Sequence, residues 1–158
     1  KEEAAKWHSK GHQITMYAYP QTGIEKPLLY RRNFGLLLWQ NDYDGAMDHA
    51  YMCSFRDIWN DFDSGCIQEN MAYPTADGVV DTTEWEGYRE GVDDVRYLNT
   101  LIDTIVATKK SENIQQASNI QLAEKFVSEL KTTDLTKRNL DSIRMRIISH
   151  ILKLQDSK

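Results

Sequence analysis

An order of helix, strand, helix, strand, long loop and helix, followed by two amphipathic helices, runs through the 158 residues. It predicts an α/β fold: the closing βα units of a (β/α)8 TIM-type barrel with a helical extension. Three observations lead there. Residues 13–19 alternate in polarity and carry the β-branched and aromatic side chains of a strand. Residues 46–52 form a second short run suited to a buried strand. A helical stripe lies between the two, as a crossover joining parallel strands requires. No internal repeat or low-complexity tract competes.

Taken in order, residues 1–10 read as the end of a helix stopped by Gly11, and Pro20 breaks the strand that follows. Residues 25–40 carry a stripe of Leu28, Leu29, Phe34, Leu37 and Leu38, with Pro27 tolerable only in the first turn. Asp44-Gly45 ends that helix. After the second strand, a long loop over residues 53–70 leads to a brief extended piece at 71–74. The next helix spaces Trp85, Tyr88, Val92, Val95, Leu98, Ile102 and Ile105 at three- and four-residue steps, one stripe on one face. Thr82 or Thr83 caps it, and Glu84 and Glu86 suit its positive end. Asp93 and Asp94, with Arg89 and Arg96 one turn away, suggest a charge network at a rim. Beyond Lys110 a polar linker precedes helices over 118–131 and 134–155. Their stripes are Ile120, Ala123, Phe126, Val127 and Leu130, then Leu140, Ile143, Ile147, Ile151 and Leu154. The expected division is therefore 1–110 for the barrel portion and 111–158 for an appended, structural helical hairpin.

A net charge of -5 and a pI near 5.4 argue against a nucleic-acid partner, because neutralising phosphates needs a clustered basic face. Lys137, Arg138, Arg144, Arg146 and Lys153 make the last helix locally basic, which reads as a solvated surface. The longest apolar run, Leu36 to Trp39, is far too short for a bilayer, and no signal sequence opens the chain, so no membrane partner is expected. Cys53 and Cys66 are able to pair, and equally to remain buried thiols. Two cysteines alone make an incomplete metal site. The oxygen-rich loop at 57–65 lacks the ligand alternation and closing glutamate of a calcium loop. Neither a metal nor another cofactor is called for.

Tyr73-Pro74 and Asp77-Gly78 precede Trp85-Glu86-Gly87 and Arg89-Glu90-Gly91-Val92-Asp93-Asp94, then Arg96-Tyr97-Leu98. Upstream stand Tyr30-Arg31-Arg32-Asn33-Phe34-Gly35-Leu36-Leu37-Leu38-Trp39, the run from Tyr43-Asp44-Gly45 to Tyr51, and Trp59-Asn60-Asp61-Phe62-Asp63. In this order these motifs resemble the C-terminal part of the glycoside hydrolase family 123-like catalytic domain, over residues 13–105. The resemblance implies a barrel and an N-acetylhexosaminidase-like activity. It also implies an adjacent Asp-Glu catalytic pair on a mid-barrel strand, working with the substrate's acetamido group. No position here matches that pair, and Asp93-Asp94 is no substitute, since adjacent helix residues point about 100° apart. A complete barrel usually takes ~250 residues, and the first residue is Lys1. The chain is thus expected to be a recombinant or proteolytic piece or a fragment of a longer reading frame, inactive alone, its catalytic pair in an absent N-terminal part of the same barrel. An extracellular or periplasmic setting suits such an intact protein, but no residue fixes it.

Barrel chemistry sits at the C-terminal ends of strands and in the loops beyond them. Tyr17 and Tyr19 mark the first such place, and His49 and Tyr51 with the loop residues Trp59, Asn60 and Asp61 mark the second. Aromatic faces suit the C–H faces of a sugar ring, and carboxylates and amides take its hydroxyls. These seven residues are the candidate wall for a glycan or amino-sugar glycoside, with Trp59 as its platform. Ordinary packing of the same aromatics is the competing reading. If Met47, His49 and Tyr51 face inward, Asp48 turns to the helix layer and needs a partner such as Arg31 or Arg32. Two other functions remain open: a non-catalytic carbohydrate-binding or structural module, and a homodimer that covers exposed strand edges. No Gly-x-Ser-x-Gly elbow or activated cysteine supports nucleophilic catalysis.

Overall fold

A barrel strand is covered on both faces and reads as a near-continuous apolar run, whereas an alternating strand suits a surface with one wet side. The first strand of this chain, residues 15–17, is of the second kind. In a computed structural model that describes residues 1–17, 26–48, 51–52, 57–60, 70–111 and 116–156, β1 (Thr15–Tyr17) pairs in parallel with β2 (Gly45–Met47). The register sets Thr15 opposite Gly45 and Tyr17 opposite Met47. Thr15, Tyr17 and Met47 are exposed. A second pair, β3 (Ala72–Pro74) and β4 (Val79–Asp81), is antiparallel. Helix accounts for 64% of the described residues, and the two sheets have two strands each.

The expected closing units of a TIM-type barrel are therefore absent. One parallel pair with helices between its strands does form, but three-residue strands with exposed side chains have no inner and outer layer to separate. The β3–β4 hairpin is also foreign to a barrel's parallel order. Its turn is closed by Thr75 N–H donating to the Gly78 carbonyl at 2.8 Å, and Asp77-Gly78 was the available signal.

Chain contacts group the residues into two units, 1–92 and 93–158, with the boundary inside a helix. In the first unit, α1 (Glu2–His8) runs to Gly11, whose φ of 76° gives the left-handed turn that stops it. Asp44 then ties the two strand starts together. Its Oδ2 accepts from Ile14 N–H at 2.7 Å and meets His8 Nε2 at 2.9 Å, and its own N–H donates to the Ile14 carbonyl. The single helix expected over 25–40 is two, α2 (Pro27–Asn33) and α3 (Leu36–Asn41). Pro27 lies at the start of α2, the one place its missing N–H costs nothing.

Glycine is required at the break, position 35, on steric grounds. A Cβ there would lie 2.6 Å from the Arg31 carbonyl oxygen and 2.7 Å from that of Gly91, on the next long helix, α4 (Thr83–Lys110). Gly91 faces the Arg31 carbonyl just as closely, and Gly87 meets the backbone of Pro27. Glycines one turn apart on α4 thus bring its backbone against α2. Thr82 caps α4 by accepting from Trp85 N–H at 3.2 Å, and its hydroxyl donates to the Met71 carbonyl. Buried Tyr30, Phe34 and Met71 form the core, with Ala46, Trp85 and Tyr88 packed on it.

In the second unit, Asp93 to Lys110 of α4 is followed by α5 (Ala117–Leu130) and, after a short 3-10 turn at Leu135–Lys137, by α6 (Leu140–Gln155). The pairing of α5 and α6 is antiparallel. Asn119 reaches the Lys153 carbonyl at 3.2 Å, and the Phe126 ring lies 5.0 Å from that of His150. Asn139 caps α6 through Ser142 N–H at 3.0 Å. All five expected α6 positions are buried, and so are Ile120, Ala123, Phe126 and Leu130 of α5. Among the described residues no helix is long and apolar enough to cross a membrane.

Candidate functional site

Aromatic rings link the core of the first unit to its surface. Tyr30 stacks on Phe34 at 5.5 Å, Phe34 tilts against Tyr88 at 5.0 Å, Tyr88 lies parallel to Trp85 at 5.8 Å, and Trp85 meets the edge of Tyr51 at 6.3 Å. The series starts in buried Tyr30 and ends in Tyr51, half of whose surface is open. Offset and edge contacts of this kind add ~0.5–1.5 kcal/mol per pair beyond area burial, so each ring is held by the next.

A second, shorter stack lies on the β3–β4 hairpin. Trp59 lies parallel to Tyr73 of β3, with centroids 5.3 Å apart and planes 14° from coplanar. A tight turn presents it, in which Asp57 Oδ1 accepts from Trp59 N–H at 3.0 Å and the Asp57 carbonyl accepts from Asn60 N–H. Such a side-chain-closed turn is a common use of aspartate. Tyr51 is joined to the same strand, since its carbonyl accepts from the N–H groups of Met71 and Ala72. Two exposed aromatic surfaces are thus tethered to β3.

Of the seven candidate residues, Tyr17, Tyr51 and Trp59 are 57%, 50% and 56% exposed, and Asn60 is exposed beside Trp59. Tyr19, His49 and Asp61 lie outside the described residues, as do Cys53 and Cys66. The condition that Met47 and Tyr51 face inward is not met, because both are exposed. The Asp48 carboxylate lies near enough to the Tyr30 hydroxyl of α2 to act on its ionisation. Burial first, then the Asp48 and Glu84 carboxylates, hold that hydroxyl far above the usual phenol range. Tyr88 is raised the same way, by burial and then by Asp48, and its hydroxyl donates to the Ala46 carbonyl at 3.4 Å. These phenols are structural hydrogen-bond donors at neutral pH.

Sequence reasoning missed Tyr73 and Trp85 as members of the site. Tyr73 stood in a piece read only as extended, and Trp85 in a stripe read as packing. The clue was the hairpin: once 72–74 pairs with 79–81, Tyr73 is fixed on a two-stranded surface whose flank is open to a stacking partner. No protein-family model, curated protein or solved structure matches the chain.

Proposed function

We propose that the unit formed by residues 1–92 is a carbohydrate-binding element, with Trp59 on Tyr73 as its stacking platform and Tyr51 as a second contact. The observation that carries this reading is the exposed Trp59 ring lying parallel to the partly buried Tyr73 ring. A lone exposed aromatic needs no explanation, but an exposed indole on a tight turn, held parallel to a strand tyrosine, presents a fixed flat apolar plate. The axial C–H groups of a pyranose fit such a plate, and Asn60 beside it offers an amide for a hydroxyl. The resemblance to glycoside hydrolase family 123 favours an N-acetylhexosaminide as the sugar. The reading is one of binding. Hydrolysis needs two carboxyl groups flanking the scissile bond, and the family's Asp-Glu pair has no counterpart in this sequence.

Titration of the chain with N,N′-diacetylchitobiose, followed by calorimetry, tests it. Trp59→Ala is expected to weaken binding by about 2 kcal/mol, roughly thirtyfold, as loss of a central aromatic anchor does. Trp7, also exposed but packed on His12 in another part of the unit, serves as the control, and Trp7→Ala is expected to bind as wild type does. Equal affinity for Trp59→Ala and wild type, or no binding by either, would remove the proposal.

A further inference from the structure

We infer that the cleft between α5 and the start of α6 binds a small organic phosphate. The cleft has a volume of about 340 Å3, within the range of small-ligand pockets. Phe126, Leu130 and Ile143 give it an apolar wall, and Lys137, Arg138 and Arg146 give it positive charge against the single carboxylate of Glu129.

The state of those cations carries the inference. Lys137 is paired with Asp134 at 3.2 Å. Among the described residues, neither arginine has a carboxylate partner: Arg146 lies over the Phe126 ring at 4.6 Å, and Arg138 makes only a backbone contact. In a chain with five more acidic than basic groups, two guanidinium groups left without carboxylates on one cleft are unlike the solvated basic surface expected of this helix. Their planar donor forks match phosphate oxygens. The nearby helix start adds little, because Asn139 Oδ1 already takes the Ser142 N–H. The Ser142 side chain, on the lining, brings a hydroxyl donor, whereas the Thr133 hydroxyl already donates to the Glu129 carbonyl at 2.9 Å. The apolar wall asks for more than the bare ion. A phosphate monoester with a compact apolar body meets both demands, the phosphate toward Arg138 and Arg146 and the body against Phe126 and Ile143.

This inference is independent of the sugar platform, which lies in the other unit. It is tested by adding phenyl phosphate, inorganic phosphate or phenol to the isotopically labelled chain and following its amide NMR signals. Phenyl phosphate is expected to shift the signals of Arg138, Asn139, Ser142 and Ile143 saturably below about 10 mM, a weak but specific affinity. Inorganic phosphate should bind more weakly, phenol should leave these signals in place, and added salt should weaken binding. Arg138→Ala, at an exposed position with no packing role, should weaken phenyl phosphate at least about tenfold, the size of one lost charge-assisted contact. Arg146→Met, which keeps the stem over Phe126, should do the same. The inference is overturned if these amides do not saturate, if both variants bind as wild type does, or if phenol shifts the same signals.

Discussion

Asp93 and Asp94 are adjacent and chemically identical, yet they occupy opposite environments. Asp93 pairs with Arg96 one turn on, at 3.1 Å, where the Arg96 side chain is largely exposed and that of Asp93 nearly half exposed. Asp94 is 1% exposed and meets Arg144 Nε of α6 at 2.5 Å, with the guanidinium also over the Tyr97 ring. The rim network expected for the pair holds for Asp93 alone. Arg144, expected among solvated basic residues, is the counter-charge of a buried carboxylate. Sequence does not show this, because the partner is 50 residues away and charge spacing along one helix reports only on that helix. The energetic contrast is large. Asp94→Ala leaves Arg144 without its buried partner and is expected to cost about 3–5 kcal/mol, whereas Asp93→Ala removes a surface pair worth about 0.5 kcal/mol. Urea unfolding of the two variants measures the difference, and equal midpoints would show that Asp94 is not held as described.

At the scale of the element, α4 shows how a helix can be read correctly in kind and wrongly in phase. The apolar stripe predicted for it begins Trp85, Tyr88, Val92 and Val95, but these are only partly buried. The most buried line is Glu84, Gly87, Gly91, Asp94, Leu98, Leu101 and Ile105. Its spacing is the same, and four of its seven members are glycine or acid. Hydrophobic periodicity cannot weight a glycine that is buried because another backbone lies on it, nor a carboxylate whose partner is distant. For α5 and α6, where leucine and isoleucine fill the buried face, the same method placed nearly every core residue. Gly91→Ala should therefore destabilise by about 1–3 kcal/mol, since the added methyl meets backbone and not a movable side chain. Gly78→Ala, with nothing within 4 Å of the added carbon, should change stability by less than about 0.5 kcal/mol. Thermal unfolding of both variants checks this, and similar melting points would contradict the close crossing.

The α5–α6 pair also carries a pH dependence. His150, stacked on Phe126, has a pKa lowered from 6.5 by burial first and then by Lys153 and Arg146. Between its folded pKa and 6.5 the unfolded chain holds more protons, so stability rises with pH there. The contribution is complete above about pH 6.5 and is lost as pH falls toward the folded value. His150→Gln should flatten the stability profile between pH 7 and pH 5, read as denaturant midpoints about half a pH step apart. An unchanged slope would show that the ring titrates as it does in the unfolded chain.

At the scale of the whole molecule, the elements were more legible than their assembly. Helix ends at Gly11 and Thr82, the position of Pro27 and both C-terminal helices follow from local chemistry. The barrel did not follow, and the reason lay in the same residues: strands that alternate, as residues 13–19 do, have one wet face, and a barrel has no place for it. The site was legible in part. Trp59 and Tyr51 were recognisable as candidate contacts, but Tyr73 and Trp85, which hold them, depend on a hairpin and a ring series that no local pattern encodes.

The central functional claim is that ring surfaces tethered to β3 meet a sugar. Mapping backbone and indole NH shifts of the whole chain during addition of N,N′-diacetylchitobiose tests it most directly. The account predicts saturable shifts at Tyr51, Trp59, Asn60, Tyr73 and the Trp59 indole, with residues 93–156 unmoved. Shifts confined to residues 93–156, or none at the Trp59 indole at a saturating sugar concentration, would contradict it.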